Sequence, residues 1–210
     1  MSQINNATAS PPAVLTLTLD SCCIIDVLEN RPSRPHVEAL IEAHRQGRAK
    51  VYVVSGSASE LLRDRTTREN YGEFLDVLRA AGMDDLPQLL TPAYLDYSYL
   101  DHCAFGSDEM LYMTEQIRSI LFGPNQATSA ANPLKWRNQT CDVLALWAHS
   151  HYKNDMFITR DRNFLKATKK SILAALGAHT ILTPSEAAAR VDGRRRPDGP
   201  PAEEHRCDDR

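Results

Sequence analysis

The chain has 210 residues, 42% of them hydrophobic, and a formal net charge of −3 with acidic and basic side chains interspersed. That is enough apolar material for one well-cored domain and marginal for two, and it excludes a protein that holds polyanions by bulk charge, so a nucleic acid would have to meet a local patch. Five cysteines, an odd count with no Cys-x-x-Cys pair, predict reduced thiols in a cytoplasmic protein. No apolar run reaches membrane-spanning length, and the opening MSQINNATASPPA has neither the basic start nor the apolar run of a secretory signal.

Residues 1–12 read as a polar, flexible tail. Residues 192–210, charged and rich in Pro and Gly, read as a disordered tail, because they cannot bury enough apolar surface to order themselves. The expected single domain is 13–191. The alternating run at 14–19 predicts a strand, and Ile24, Val27 and Leu28 predict a short helix directly after it. Val37, Leu40, Ile41 and His44 follow helical spacing, with Gly47 as the stop. Residues 50–55 predict a second strand. SASELLRDRT, from Ser57, predicts the start of another helix, and Tyr71, Phe74, Leu75 and Leu78 one more, closed by Gly82. Residues 83–137 read as an insertion with its own helix at 107–122, carrying Met110, Met113, Ile117 and Leu121 on one face. A helix over 141–151 and strands at 156–159 and 179–182 complete the pattern. Strands alternating with helices imply an α/β domain, three-layered, with a mainly parallel sheet of four or five strands.

In such sheets ligands sit beyond the carboxyl ends of the strands. Asp20 ends the first strand, and Asp161 follows the MFIT strand. Glu60 is expected to open the helix after the second strand, and Asp142 to open the helix at 141–151. Each acid has a local reading as well. Asp20 and Asp161 suit N-caps, Glu60 suits the third position of a capping box with Ser57, and Asp142 suits a helix macrodipole. If the four meet, their mutual repulsion calls for a cation. Carboxylate oxygens with water suit Mg²⁺ or Mn²⁺, which bind phosphates and activate water. No glycine-rich phosphate loop is present, which argues against a nucleoside-triphosphate enzyme.

The segments LDSCCIIDVLEN, VYVVSGSASEL, CDVLALWAHSHYKNDMFITRDRNFLK and ILTPSEAA together resemble a PIN domain. The resemblance covers roughly 14–62 and 138–190, and it is most specific around Asp142 and Asp161. It implies a PIN-like α/β fold and a metal-dependent endoribonuclease using Mg²⁺ or Mn²⁺, which leaves a 5′-phosphate and a 3′-hydroxyl. It also implies that Asp20 and Asp142 are direct metal ligands, that Glu60 and Asp161 complete the acidic pocket, and that Ser21 and Thr159 line it. Toxin-type members of toxin–antitoxin pairs are the nearest in motif. The long separation of Glu60 from Asp142 departs from the small toxins, so the RNA target does not carry over. Candidate partners are an RNA substrate, an antitoxin protein and a second copy of the chain, with no membrane. An RNA-processing nuclease without antitoxin, and a non-catalytic PIN-like module that binds RNA or protein, are the competing readings. A haloacid-dehalogenase-type phosphatase needs an acid where Cys22 stands.

Other residues supply candidate RNA contacts. Lys135, Trp136 and Arg137 precede Asp142, and Arg160, Arg162 and Lys166 surround Asp161, with Lys169 and Lys170 extending the basic run. Tyr94, Tyr97, Tyr99 and Phe105 either stack on unpaired bases or pack the insertion onto the domain. The insertion is expected beside the acidic edge, narrowing the RNA path. His149 and His151, two residues apart on a helix, do not share a face and do not suggest zinc. Asp26 and Glu29 are expected on the exposed side of the first helix. Adjacent Cys22 and Cys23 have no sequence-near His to make a catalytic thiol.

Overall fold

Leu15, Leu17 and Leu19 share one face of strand β1 (Leu15–Leu19) and are buried, while Thr18 is buried on the other face. A strand covered on both faces belongs inside a sheet, and β1 lies at the centre of one. The computed structural model describes residues 14–123 and 130–193. It contains α1 (Ser21–Leu28), α2 (Arg34–Arg45), β2 (Ala49–Val54), α3 (Tyr71–Ala80), β3 (Gln88–Leu89), β4 (Thr91–Pro92), β5 (Cys103–Ala104) and α4 (Asp108–Phe122). Then follow α5 (Pro133–His151), β6 (Met156–Ile158), α6 (Arg162–Leu165), α7 (Ala167–Leu173), β7 (Thr180–Leu182) and α8 (Pro184–Asp192).

The central sheet has five strands in the order β3-β2-β1-β6-β7, all parallel. One core joins the leucines of β1 with Val51, Val53, Met156 and Ile158 and with apolar faces of α1, α2, α3 and α8. The other core lies across the sheet, where Phe157 and Ile181 meet Ile117, Leu121, Trp147 and Phe164 of the remaining helices. The architecture is thus α/β/α. The chain runs outward from β1 to β3, then returns to the opposite side of β1 with β6. Parallel sheets leave a ligand crevice at such a reversal, beyond the strands' carboxyl ends.

Thr18 is satisfied by a small buried network. It accepts from Asn154 Nδ2 at 2.8 Å and pairs with His149 Nδ1 at 2.9 Å, while His149 Nε2 lies 3.0 Å from the Ala178 carbonyl. A carbonyl only accepts, so Nε2 carries the proton and Thr18 donates to Nδ1. Burial, the larger effect, pushes the His149 pKa down to about 4. His151 instead stacks on Trp147, so the two histidines serve different surroundings.

Several boundaries differ from the sequence reading. Strand β3 lies within 83–137 and pairs with β2, so that segment is part of the sheet as well as a helical insertion. Helix α5 begins at Pro133, with Asn132 capping it through Lys135 N–H. The stretch 134–140, expected ahead of a helix over 141–151, is therefore helical, and Asp142 sits mid-helix. No helix forms after Ser57. Residues 55–59 make a single 3₁₀ turn whose end is Glu60, with irregular chain to Asn70. Gly56 lets Thr91 approach closely there, since a Cβ would lie 3.0 Å from Thr91 Cγ2 and require that side chain to shift. The face of α3 is Tyr71, Phe74 and Leu78, with Leu75 exposed. The expected disordered tail from 192 is corrected at its start, because Asp192 closes α8 and Gly193 caps it; residues 1–12 and 194–210 lie outside the described residues. Among the described residues no helix is long and apolar enough to cross a membrane.

Candidate functional site

Asp20 follows the last residue of β1, and its N–H continues the ladder to the Ile158 carbonyl at 3.0 Å. It occupies the N-cap position of α1 but makes no capping bond with its side chain. The carboxylate points elsewhere: Thr159 Oγ1 donates to Oδ2 at 2.6 Å, and Ser21 Oγ lies 3.4 Å from Oδ1. Asp161 does cap, accepting from Asn163 N–H at 2.7 Å, and its own N–H donates to Thr159 Oγ1 at 3.0 Å. Thr159, wholly buried, thus ties the exits of β1 and β6 together.

Glu60 arrives on the 3₁₀ turn after β2. That turn is pinned from several sides. Thr91 N–H donates to Ser55 Oγ, and Ser59 Oγ donates to the Tyr97 carbonyl. Arg137 Nε donates to the Ser59 carbonyl at 2.6 Å, and Arg68 Nη1 to the Ala58 carbonyl at 3.0 Å. The insertion therefore borders the acidic edge and holds Glu60's turn through Thr91 and Tyr97. Asp142 comes from α5, which the Arg137 bond fastens to the same turn.

Asp20 acts electrostatically on Glu60 and Asp142, and Asp161 acts on Asp20 and Asp142, but Glu60 and Asp142 line different clefts. Burial raises the Asp20 pKa, and Asp161 adds to the rise, although the bond from Thr159 opposes it. Burial and then Asp20 lift Glu60 to about 7, with Ser21 and Arg68 pulling weakly the other way. Asp142 is pushed well above the usual carboxylate range, first by burial, then by Asp20, Glu60 and Asp161. Among the described residues none of the four forms an ion pair. Uncompensated carboxylates of this kind are what a divalent cation relieves, and all-oxygen donors suit Mg²⁺ or Mn²⁺. The donor chemistry fits such an ion. The spacing is looser: among the described residues no three His, Cys, Asp or Glu side chains are drawn into a ready metal-ligand cluster.

Two clefts open from this edge on either side of Leu61 and Leu62. One, about 520 Å³, contains Asp142 with Arg65, Lys135 and Asn138. The other, about 300 Å³, lies between α1 and α3 and shares Ser21 and Glu60 with the acidic site.

The basic and aromatic candidates divide. Lys135, Arg162 and Lys166 are exposed, whereas Trp136 and Arg137 are half-buried. Trp136 lies under the buried Arg118 guanidinium at 4.0 Å, and Arg137 is spent on Ser59, Asp96 and the Tyr97 ring. Tyr99 donates to the Arg68 carbonyl and packs edge-on against Tyr71, so it serves packing. Phe105 is 97% exposed.

Asp26 is completely buried, not exposed, and Arg160 Nε donates to its Oδ2. Arg31 Nη1 stands 3.9 Å from Oδ1, and Glu29 instead holds Arg31 and Arg63 at the surface. The Asp26–Arg160 pair anchors the residue between Thr159 and Asp161 onto α1, a role for both that the sequence reading missed. Cys22 reinforces it, accepting from Arg160 N–H at 3.2 Å. Comparison with protein-family models, with curated proteins and with solved structures finds no match in any of the three.

Proposed function

We propose that this chain is a metal-dependent endoribonuclease whose site is formed by Asp20, Glu60, Asp142 and Asp161. The observation that carries the reading is that Asp20, Glu60 and Asp142 come from separate elements to the sheet reversal, each with a raised pKa, and lack an ion pair among the described residues. Holding such charges apart from cations costs stability, and proteins retain that cost where the charges have work to do. Asp20 and Asp142 are the proposed ligands of Mg²⁺ or Mn²⁺, with Glu60 and Asp161 beside them. Such an ion, when bound, acidifies a water and offsets the charge of a phosphodiester.

The remaining chemistry belongs to the chain. Thr159 fixes Asp20 in one orientation. Glu60, titrating near 7, is suited to hold or release a proton at its carboxyl at neutral pH. Lys135 and Arg65, in the cleft with Asp142, are placed to draw a phosphate backbone inward. Water oxygen bonds to phosphorus, the bond from phosphorus to the 3′ oxygen breaks, and that oxygen takes up the proton. The products are a 5′-phosphate and a 3′-hydroxyl.

The test is Mn²⁺-dependent cleavage of a mixed single-stranded RNA pool with end-group analysis, beside calorimetric Mn²⁺ titration of the protein and of Asp20→Asn. Cleavage leaving 5′-phosphates, lost in the variant together with Mn²⁺ binding, supports the proposal. Absence of both cleavage and Mn²⁺ binding in the unaltered protein overturns it. The loose spacing of the acids favours one competing reading, a non-catalytic module for RNA or protein, for which RNA binding would survive chelation without any cleavage. The toxin assignment rests on the sequence resemblance and predicts growth arrest on expression, relieved by Asp20→Asn.

A further inference from the structure

We infer that the cleft between α1 and α3 seats one unpaired base of the RNA strand, next to the phosphate being cut. This rests on the nuclease reading above and adds to it how the strand is gripped. The cleft shares Ser21 and Glu60 with the acidic site, so whatever fills it lies directly beside the acids. Its volume, about 300 Å³, is at the small end of ligand sites. It admits one ring system and leaves no room for a duplex or a helix.

Its lining is apolar with a few polar groups. Ile24, Ile25 and Leu28 form one wall, and Phe74 and Val77 the other. Leu28, next to Glu29 on α1, is 43% exposed, an apolar surface left open beside the cleft. The Arg68 guanidinium is held as a fixed plate, 5.5 Å from the Phe74 ring centre and bonded to the Ala58 carbonyl. Guanidinium planes and hydrocarbon walls accept the face of any base, and flipped-out bases of single strands are recognised this way.

Charge selects the occupant further. Arg31, Arg63 and Arg68 line the cleft against Glu29 and Glu60, so the lining itself carries one cation in excess. That suits a ring carried on a phosphodiester better than the side chain of an acidic peptide. Beyond Leu61 and Leu62, Lys135 and Arg65 line the second cleft. A strand crossing the acids would lay its backbone there and turn a base into the first cleft. The Arg63–Glu29 pair, 2.5 Å apart with Arg63 81% exposed, lines the cleft at the surface and can part for a ligand.

The experiment is an abasic scan. A short single-stranded RNA with one cleavage site is made with an abasic residue at each position around it, and kcat and KM are measured with Mn²⁺. The expected result is a rise in KM of at least tenfold at one position adjacent to the cut, with smaller effects elsewhere. Val77→Trp, which fills the cleft without touching an acid, should raise KM for the intact RNA by a similar factor and leave the KM of that abasic RNA unchanged. Circular dichroism confirms that the variant folds, and Val77→Phe is the second variant should it not. RNA that is cut with a flat abasic scan, or Val77→Trp that weakens intact and abasic RNA equally, overturns the base site and leaves the nuclease reading standing. Absence of RNA cleavage by the unaltered protein overturns both.

Discussion

Replacing Glu60 by Gln removes a charge that burial and Asp20 both disfavour, and keeps the side chain's size. In the fold Glu60 titrates at about 7 against 4.5 for the free side chain. Below pH 4.5 both states are protonated, and the folded carboxyl carries no penalty. As pH rises through 7 the folded group must ionise in its acidic surroundings, so metal-free stability falls across that window. At 1.36 kcal/mol per unit the shift is worth at most about 3 kcal/mol. Partial solvent contact reduces it, leaving roughly 1–3 kcal/mol, or on the order of 2–10 °C in melting temperature. His149 obscures this in the unaltered protein. Its folded pKa of about 4 lies below the free value of 6.5, so its contribution is present above pH 6.5 and is lost as pH falls towards 4. The two slopes oppose each other where they overlap. The informative quantity is therefore the difference between Glu60→Gln and the parent, measured by thermal melting with a chelator from pH 4.5 to 8. It should be near zero at the acid end and grow in favour of Gln to a plateau above pH 7. A variant that is less stable at pH 8, or a difference that does not change with pH, refutes the electrostatic reasoning.

The other expectations concern the neighbours of Glu60. Asp20→Asn should lower Mn²⁺-dependent RNA cleavage by orders of magnitude while leaving metal-free melting unchanged or raised; retained cleavage would falsify its role at the metal. Mn²⁺ should raise the melting temperature more at pH 8 than at pH 5, because below the raised pKa values protons compete for the same oxygens; an equal shift at both pH values counts against the acids as ligands. Thr159→Val removes the 2.6 Å bond to Asp20 and should cost about 1–3 kcal/mol by chemical denaturation. Arg160→Ala strands the buried Asp26 carboxylate, with an expected loss of about 3–5 kcal/mol, and adding Asp26→Asn should recover part of it; equal stability of the single and double variants rules that explanation out.

The placement of Asp20 and Asp161 was readable because strands and their exits leave a strong local pattern, a short apolar or alternating run that stops at polar residues. The α/β/α layering followed from the alternation of such runs with helical ones. Glu60's turn was not readable. Its serines satisfy the preference for a helix start, and what holds them in a 3₁₀ turn is distant in sequence: Thr91 and Tyr97 of the insertion, Arg68 and Arg137. The first half of α5 did leave a signal, Asn132 before Pro133, which is a cap followed by a residue preset for the first helical turn. The polar stretch after it hid the helix, because Trp136 and Thr140 there serve Arg118 on α4. Asp26 was misplaced because a carboxylate on a short helix is ordinarily solvated. Its spacing of three from buried Cys23 put it on the inward stripe, but its partner Arg160 is distant in sequence, and no local pattern announces it.

The order of strands has a consequence for how the molecule comes into being. Strand β1 waits between β2, which follows it closely, and β6, which is supplied only after α5. Asp20 and Glu60 can be brought together by the first half, but Thr159, which orients Asp20, and the acids at 142 and 161 arrive afterwards. A chain broken off before residue 161 therefore carries no complete site, however well its earlier portion folds. The acidic edge thus becomes whole only when the second half of the domain has docked onto the first.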